Sequence, residues 1–378
     1  MSQRAQQRKT TTAKTATTMK PATIKSTTKP TTMKPATVKP ATIKEVAELA
    51  KVSIKTVSRV MNDEGNVSPA TRDVVLTAAQ RLNYRPNMAA RRLASRRSFM
   101  ICLLYDKAAS DYMVEVQFGV LERCDADHYS LLIRPCGEMS TRQIKQTLEQ
   151  IIQQSNADGF ILGPPLADNK SIINLLQQRG VPFVRISQAP KKAKQPCVGV
   201  EDTQAAHRLV SRLIEKGHRR IGMIRGNPKH GSATDRLNGY RRALLEHDIP
   251  IRDEWIVGGS YEFEDGVAGA EQLLALPKRR RPTAIFASND HMALGVLQYA
   301  GASGIEVPEE LAVCGFDDIE FARFVWPGLT TVNQPIRGVA RTAADLLIRQ
   351  LKGEYLEGVS IRLPAAVVER ESTGPLEP

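Results

Sequence analysis

The hydrophobic pattern of residues 42–82 is that of short helices. Apolar residues recur every three or four positions in the segments 43–50 and 57–61, which is the spacing of one buried helix face. Between them Ser53 is a good N-cap for the second helix, because its side-chain oxygen can accept an amide of the first turn. Ser68 and Pro69 are the N-cap and first residue of a third helix. Its apolar residues are Val74, Val75, Ala78, Ala79 and Leu82.

Beyond Phe99 the pattern changes to short, continuous apolar runs separated by amphipathic helical segments. Such runs are typical of fully buried parallel strands. Eight runs have this character: MICLLY, YSLLIRP, GFILGP, PFVRIS, CVGV, RIGMIRG, TAIFAS and LAVCGF. The alternation predicts a doubly wound, parallel-sheet α/β body that is long enough for two lobes. The predicted fold class is therefore α/β, with a small all-α headpiece in front of the body.

The second predicted helix carries an unusual set of polar side chains. Between its apolar positions lie Ile54, Lys55, Thr56, Ser58 and Arg59. A solvated face normally mixes charges of both signs, whereas this one has two positive charges, hydroxyl groups and no acid, as contact with phosphates and base edges requires. The residues predict a helix-turn-helix with this segment as its recognition helix. An ordinary helical hairpin inside a larger domain is the alternative.

Charge is unevenly distributed along the 378 residues. Residues 1–98 contain 20 Lys or Arg and 5 Asp or Glu, whereas residues 99–378 contain 33 and 35. One end of the chain is therefore expected to bind a polyanion, which favours nucleic acid. Residues 1–40 are mostly Thr, Lys, Ala and Pro, and KPATIK or KPATVK occurs three times between residues 20 and 44. They are predicted to be a disordered basic arm, which either adds non-specific DNA affinity or is dispensable.

Two segments resemble the DNA-binding headpiece and hinge of the LacI/GalR (lactose/galactose repressor) family of bacterial transcriptional regulators: VSIKTVSRVMN and VSPATRDVVLTAAQRLNYRPNMAARRLA. Lys51 departs from the family pattern, which usually has glycine in the turn, and a lysine makes a left-handed backbone costlier. The resemblance implies a homodimer that binds double-stranded operator DNA, usually as a repressor, under the control of a small-molecule effector. The implied DNA-binding residues are Thr42, Ser53, Ile54, Lys55, Thr56, Ser58, Arg59, Asn62, Ser68, Tyr84, Asn87, Ala90, Arg91 and Leu93.

The chain between Tyr84 and Ser98 is predicted to be a linker that contains a short helix. Pro86 disfavours helix at the preceding residue, and MAARRLAS is too short to form a stable helix alone in water. In the family, the paired hinge helices of a dimer wedge a leucine into the DNA minor groove, and Leu93 occupies that position here. The resemblance therefore predicts a hinge that becomes helical on DNA.

The resemblance extends to about residue 370 through GHRRIGMI, RPTAIFASNDHMALGV, VPEELAVCGFDDI and WPGLTTVNQP. It implies a periplasmic-binding-protein-like body that binds the effector and dimerises. The predicted domains are the arm 1–40, the headpiece 41–86, the hinge and linker 87–98 and the body 99–378. Within the body, lobe 1 is predicted to comprise about 99–197 and 334–358, and lobe 2 about 198–333 and 359–378.

Polar residues follow several predicted strands of the body, where ligands of open α/β sheets bind. An arginine, an amide, carboxylates and an aromatic ring suit sugar hydroxyls and an apolar sugar face, although Asp or Asn after a strand is more often an N-cap. The resemblance implies that residues at the positions of Arg236, Asn289 and Asp317 hydrogen-bond the effector and that one at Tyr261 packs on it. Further candidates on the first lobe are Asp106, Tyr112 and Ser187.

The five cysteines are odd in number, form no CxxC and are expected to be buried reduced thiols. No run approaches the ~18 apolar residues of a membrane span, and the N-terminus has no apolar signal-peptide core. These features predict a cytoplasmic protein without a membrane partner. A periplasmic-type solute-binding protein shares the two-lobed body, but the attached headpiece argues against it.

An enzyme is the remaining alternative. The sequence shows no nucleophile and base in motif context, no GxxxxGK[ST] phosphate loop and no metal-ligand spacing. His207, His218 and His230 are interpreted as surface or capping residues. The chain is therefore expected to have no catalytic activity, metal or cofactor. The identity of the effector, the choice between induction and co-repression, and the operator sequence are left open.

Overall fold

A computed structural model describes residues 41–61, 65–84, 97–106, 110–137, 139–155, 157–187 and 194–374. The chain separates into two compact units, which divide between Asn87 and Met88. Several predictions lie outside the described residues: the basic arm 1–40, the hinge helix, and the DNA-binding roles of Asn62, Asn87, Ala90, Arg91 and Leu93.

The first unit is a headpiece of three helices, as predicted: α1 (Ile43–Ala50), α2 (Ile54–Met61) and α3 (Pro69–Arg81). Eight buried side chains form its core: Val46, Ala47, Ala50, Val57, Val60, Val75, Ala78 and Ala79. Val74 differs from the prediction because it is 50% exposed. At 3.6 residues per turn, the face that buries Val75, Ala78 and Ala79 turns Val74 toward solvent.

Lys51 ends α1 with φ 54° and ψ 40°. Its amide donates to the carbonyl oxygens of Ala47 and Glu48, so the turn keeps a left-handed conformation. A side chain makes this conformation costlier than it is for glycine, by roughly 1–2 kcal/mol. Lysine in place of glycine at this turn therefore costs local energy, but it leaves the helix-turn-helix backbone intact.

The second unit, the body, contains a six-stranded parallel sheet in lobe 1, with the order β11-β5-β4-β3-β1-β2. Its strands are β1 (Met100–Tyr105), β2 (Ser130–Pro135), β3 (Gly159–Leu162), β4 (Phe183–Ile186), β5 (Cys197–Val200) and β11 (Ser360–Leu363). Its helices are α4 (Ser110–Ala126), α5 (Thr141–Gln150), α6 (Lys170–Gln178) and α11 (Ile336–Leu351). Helix α11 packs on α4 and on the central strands. A Cβ at Gly119 of α4 would lie 2.3 Å from the carbonyl oxygen of Arg337, so glycine permits this close contact.

Lobe 2 contains a four-stranded parallel sheet with the order β7-β6-β8-β9, and a separate antiparallel pair, β10 and β12. Its strands are β6 (Ile221–Ile224), β7 (Ile256–Val257), β8 (Ala284–Ala287), β9 (Ala312–Cys314), β10 (Thr331–Asn333) and β12 (Ala366–Val368). Its helices are α7 (Asp202–Glu215), α8 (Gly231–Glu246), α9 (Phe263–Leu274) and α10 (Asp290–Ala302). All eight predicted strands are present.

Two details of the predicted body are wrong. The run YSLLIRP forms β2, but β2 lies at the edge of its sheet and most of its residues are exposed or half-exposed, so it is not a fully buried strand. Strands β5 and β11 pair with each other in the lobe 1 sheet, whereas residues 198–200 and 359–363 were assigned to lobe 2. Both strands belong to the lobe 1 sheet. The chain therefore crosses to lobe 2 only after the end of β5 and again after the end of β11.

In both sheets the chain starts centrally and builds to either side, so β1 lies between β2 and β3, and β6 lies between β7 and β8. Ligands of open α/β sheets bind outside the carboxyl ends of strands at such switch points. All five cysteines are buried and unpaired, as predicted. None of the helices in the described part of the chain combines the length and apolar character that spanning a bilayer requires.

Candidate DNA-binding helix and effector cavity

Helix α2 presents the predicted recognition surface. Ser53 caps it, because its Oγ accepts the Thr56 amide at 3.1 Å. Val57 and Val60 are buried in the headpiece core and fix the orientation of the helix. Ser53, Ile54 and Lys55 are exposed, and Thr56, Ser58 and Arg59 are half-exposed. The predicted DNA-binding side chains of α2 are therefore on the accessible side of the helix.

Thr42, Ser68 and Tyr84 have structural roles in the headpiece. Thr42 caps α1 in a reciprocal arrangement in which its amide donates to Glu45 Oε2 at 2.6 Å. Ser68 caps α3 by accepting the amide of Thr71 at 3.3 Å. Tyr84 is half-buried and packs against the headpiece core, and burial raises its pKa. Their contacts with DNA stay predictions.

All seven predicted effector-binding residues line one cavity of about 280 Å³ in the body. They are Asp106, Tyr112, Ser187, Arg236, Tyr261, Asn289 and Asp317. The cavity lies where the carboxyl ends of the two sheets face each other: Asp106 follows β1 and Ser187 follows β4 on lobe 1, while Asn289 follows β8 and Asp317 follows β9 on lobe 2. This volume lies just below the roughly 300–1,000 Å³ of typical ligand pockets, so the cavity suits a small ligand.

Arg236 is the central cation of the cavity and is buried. Its Nε donates to Asp202 Oδ1 at 2.8 Å, and its Nη1 donates to the carbonyl oxygen of Ser288. The guanidinium lies over the Phe316 ring, 3.7 Å from the centroid, and Nη1 is 3.7 Å from Asp317 Oδ1. Burial opposes this charge, but the neighbouring carboxylates more than compensate and raise the pKa of Arg236.

Asp317 is held in a strained and desolvated position. Its φ of 134° is one that side chains rarely adopt, and its amide donates to the carbonyl oxygen of Val332 at 2.9 Å. The Gln334 amide group donates to Asp317 Oδ1. Burial, which outweighs the attraction of Arg236, raises the pKa of Asp317 to about 8. Strain of this kind is concentrated at functional sites.

Asn289 and Tyr261 form one unit. Asn289 caps α10 by accepting the Met292 amide at 3.0 Å, and its Nδ2 donates to the backbone oxygen of Tyr261 at 2.9 Å. Tyr261 has φ 75°, and a Cβ at Gly226 would lie only 2.0 Å from the tyrosine ring, so glycine leaves the space for it. Asn289 is therefore an N-cap, which is the more common role of an Asn after a strand, and it also positions the Tyr261 ring that faces the cavity.

The lobe 1 wall is formed by Asp106, Tyr112 and Ser187. Tyr112 lies close enough to Asp317 and Asp202 that their charges, after burial itself, raise the pKa of its phenol. Ser187 is buried, and its carbonyl oxygen accepts from Arg362 Nη1 at 2.7 Å. Asp106 is half-buried at the end of β1. Both lobes therefore contribute polar groups to the same cavity.

Eight polar residues of the described cavity lining were not predicted from the sequence: Asp168, Asp202, Asn227, His230, Ser232, Ser260, Glu262 and Gln334. His230 is the N-cap residue of α8, as interpreted, but it makes no side-chain capping bond, and its ring packs edge-on against Tyr261 at 5.2 Å. Burial and then the charge of Arg236 lower its pKa to about 4. Asp202 follows β5 and Gln334 follows β10, so the strand-end rule that selected Asn289 could have found both.

The comparisons with known proteins agree with this geometry. A model of bacterial regulatory proteins of the lacI family matches residues 42–87, and a model of the periplasmic binding protein-like domain matches residues 210–373. Catabolite control protein A of Priestia megaterium is 32% identical over 330 residues, which are 87% of this chain and 98% of that protein. The chain belongs to the LacI family.

Two solved structures extend this LacI-family likeness to the whole fold. The transcriptional regulator CelR in complex with cellobiose has a TM-score of 0.67 at 31% identity, with 88% of this chain and 99% of that one covered. The lac repressor dimer bound to operator and the anti-inducer ONPF has a TM-score of 0.69 at 28% identity, with 89% and 100% covered. The chain is a DNA-binding transcriptional regulator controlled by a small-molecule effector, and its relatives are repressors rather than enzymes.

Proposed function

We propose that the cavity of the body binds a small polyhydroxylated effector, most simply a sugar, and that this binding alters the affinity of the headpiece for operator DNA. The observation that carries the proposal is the convergence of Arg236, Asp317 and the rings of Tyr112 and Tyr261 on one cavity. Charged hydrogen-bonding groups select hydroxyls, and aromatic rings pack on the apolar faces of a sugar. The CelR structure, whose ligand is cellobiose, supports the same ligand class.

A thermal-shift screen of sugars on the full-length protein tests the effector proposal, since a ligand that binds only the folded body raises the melting temperature. For a sugar found in this way, Asp317→Ala should weaken binding roughly tenfold or more, because removing a buried hydrogen-bond partner costs about 1–3 kcal/mol. Operator binding without the sugar should be unchanged. A folded variant that loses operator binding and keeps the sugar affinity would reverse the assignment of the two units.

We further propose that α2 reads the operator in the major groove, with Lys55 and Arg59 near base edges. Arg59→Ala should then weaken binding to the preferred operator by ~1–3 kcal/mol and relax specificity at one base pair in each half-site. Selection of bound sequences from a random library measures this. Arg81→Ala, which removes an exposed arginine from α3, is the matched control for charge and should leave the preferred sequence unchanged. An unaltered preference in Arg59→Ala contradicts the role of Arg59.

We infer that the protein acts as a homodimer, and three exposed rings near residue 324 support this. Phe321, Phe324 and Trp326 are 56%, 73% and 87% exposed in the single chain. Contiguous apolar surface of this kind marks an interaction site, and a second copy would cover it. Sedimentation equilibrium should give twice the chain mass of 41.7 kDa, and Phe324→Glu should shift the protein toward monomer. A monomeric parent protein at micromolar concentration would contradict the inference.

The remaining proposals concern the division of labour along the chain. We propose that residues 41–86 bind DNA, that the hinge 87–98 couples DNA to the body through Leu93, and that the body senses the effector. The protein would act in the cytoplasm, where the operator is, and would release its effector chemically unchanged. Chromatography of a bound sugar after long incubation with the protein tests the last point, and a new product would contradict it.

A further inference from the structure

We propose that the effector cavity selects against anionic ligands, so that it accepts an uncharged or amine-bearing polyhydroxylated effector and rejects its phosphorylated or carboxylated forms. The inference rests on the proposed function, and it narrows the ligand to a chemical class. It follows from the charges that line the cavity, which are strongly unequal.

The described residues that line the cavity include five carboxyl groups and a single cationic side chain, Arg236. The carboxyl groups are those of Asp106, Asp168, Asp202, Glu262 and Asp317. Arg185 lies behind the lining and bonds Asp168 at 2.7 Å, which neutralises one of them. Arg236 pairs with Asp202, and burial keeps a proton on Asp317 at neutral pH. Arg362 lies beside the lining, where its Nη1 donates to the carbonyl oxygen of Ser187 at 2.7 Å. The carboxylates of Asp106 and Glu262 then leave a smaller excess of negative charge in the lining. At an effective dielectric constant of about 20, one like charge at about 8 Å weakens the binding of an anion roughly 30-fold.

Arg236 is only partly available to an anion. Its Nε and Nη1 are bonded to Asp202 and to the backbone oxygen of Ser288, and its flat face is covered by Phe316. Only 6% of its side chain is exposed. A phosphate that recruited this guanidinium would have to share it with Asp202, whose buried carboxylate already pairs with Nε, so like-charge repulsion opposes the phosphate.

The other features of the cavity that could attract an anion either hold a carboxylate of the protein already or attract an anion only weakly. Asp202 and Asp290 occupy the first turns of α7 and α10, so these helix N-termini already hold carboxylates. The N-terminus of α8 does line the cavity, at Gly231 and Ser232, but a helix dipole is equivalent to only about half a charge. His230 beside it is neutral at pH 7, because burial lowers its pKa to about 4.

The hydrogen-bonding capacity of the cavity lining also disfavours an anionic ligand. Carboxylates accept and cannot donate, so they require ligand groups that carry hydrogens. Hydroxyl and amine groups supply them, whereas a phosphate is mostly dianionic at neutral pH and offers acceptors. Burial, with the added charge of Asp290, already keeps the pKa of Asp317 at about 8. An incoming anion would enter a space in which one of the protein's own carboxyl groups is already hard to ionise.

The test uses the full-length protein and can begin before any effector has been identified. Wild type and Ser232→Trp, which fills the cavity, are dialysed against a small-molecule extract of bacterial cells, and mass spectrometry identifies compounds that only the wild type retains. We expect a compound without phosphate or carboxylate. Calorimetry then compares it with its phosphorylated or uronic acid form, which should bind at least ~100-fold more weakly. Asp106→Asn should reduce that discrimination.

The possible outcomes distinguish failure of the charge selection from failure of the proposed effector site. Retention of a phosphorylated or carboxylated compound, or equal affinity of the paired forms, overturns the charge selection and leaves the proposed effector site standing. If the wild type retains nothing beyond what Ser232→Trp retains, the cavity is not an effector site, and both proposals fail. Retention of an uncharged or amine-bearing compound with weak binding of its anionic form supports both.

Discussion

Replacing Arg236 with leucine lowers the free energy of unfolding of the body by about 3–5 kcal/mol, because it leaves a buried carboxylate without its partner. Asp202, which is 3% exposed, loses the 2.8 Å bond from Nε, and the backbone oxygen of Ser288 loses its donor. Urea unfolding followed by tryptophan fluorescence measures the change. Both tryptophans, Trp255 and Trp326, belong to the body, so the signal reports this unit alone.

The same helix provides the control for Arg236→Leu. Arg242 also lies on α8 and also pairs with a carboxylate, Glu246, at 2.7 Å, but both side chains are about half exposed. Arg242→Leu should cost less than about 1 kcal/mol, since surface ion pairs contribute little. The double variant Asp202→Asn/Arg236→Leu should recover part of the loss by removing the unpaired charge. Equal effects of the two single variants would mean that Asp202 is well solvated without Arg236.

Asp317→Asn makes the stability of the body less dependent on pH between about 4 and 8. The folded wild type keeps a proton on Asp317 up to pH about 8, because burial raises the pKa of that carboxyl group, whereas the unfolded chain releases it near pH 3.9. Between these values the folded state binds more protons, so the contribution of Asp317 to stability falls as the pH rises, by about 1.4 kcal/mol per pH unit. Asparagine imitates the protonated form and removes this slope.

The neighbouring residue Asp318 is the control, because its pKa is shifted in the opposite direction. Burial would raise the pKa of Asp318, but hydrogen bonds from Asn333 and Arg370 outweigh it and lower the pKa. Asp318→Asn should therefore destabilise the body at neutral pH, and this loss should shrink as the pH falls below the unfolded value. Urea midpoints from about pH 3 to pH 8 measure both variants. Parallel curves for wild type and Asp317→Asn would show that Asp317 is ionised in the folded protein.

The sequence predicted the elements well where one physical cause dominates. The eight apolar runs are strands because each fills a buried layer, and the strand ends meet because parallel strands point the same way, which brings Asn289 and Asp317 to one cavity. What could not be predicted depends on neighbours that are distant in sequence. An apolar run does not reveal that β2 is an edge strand, and nothing near Arg236 indicates that Asp202, 34 residues earlier, occupies its Nε.

The positions of the rings in the cavity were also beyond the sequence. Tyr261 was selected as a packing residue, but its place depends on a positive φ, on the space beside Gly226 and on a hydrogen bond from Asn289 to its backbone oxygen. The interpretation of His230 as a surface or capping residue does not include a contact with the cavity. The contact of His230 with Tyr261 arises from the three-dimensional course of two loops, which no local pattern encodes.

Because the ribosome synthesises the chain from its N-terminus, the two lobes can complete their cores at different times. Lobe 2 takes most of its core from the uninterrupted stretch 202–333, so it can collapse while translation continues. Lobe 1 cannot, because α11 (Ile336–Leu351) covers its central strands and β11 (Ser360–Leu363) completes its sheet. The first-made strands must therefore wait, with apolar surface uncovered, until nearly all 378 residues have been synthesised. Nascent lobe 1 therefore exposes apolar surface for longer than lobe 2, which is the condition that favours aggregation.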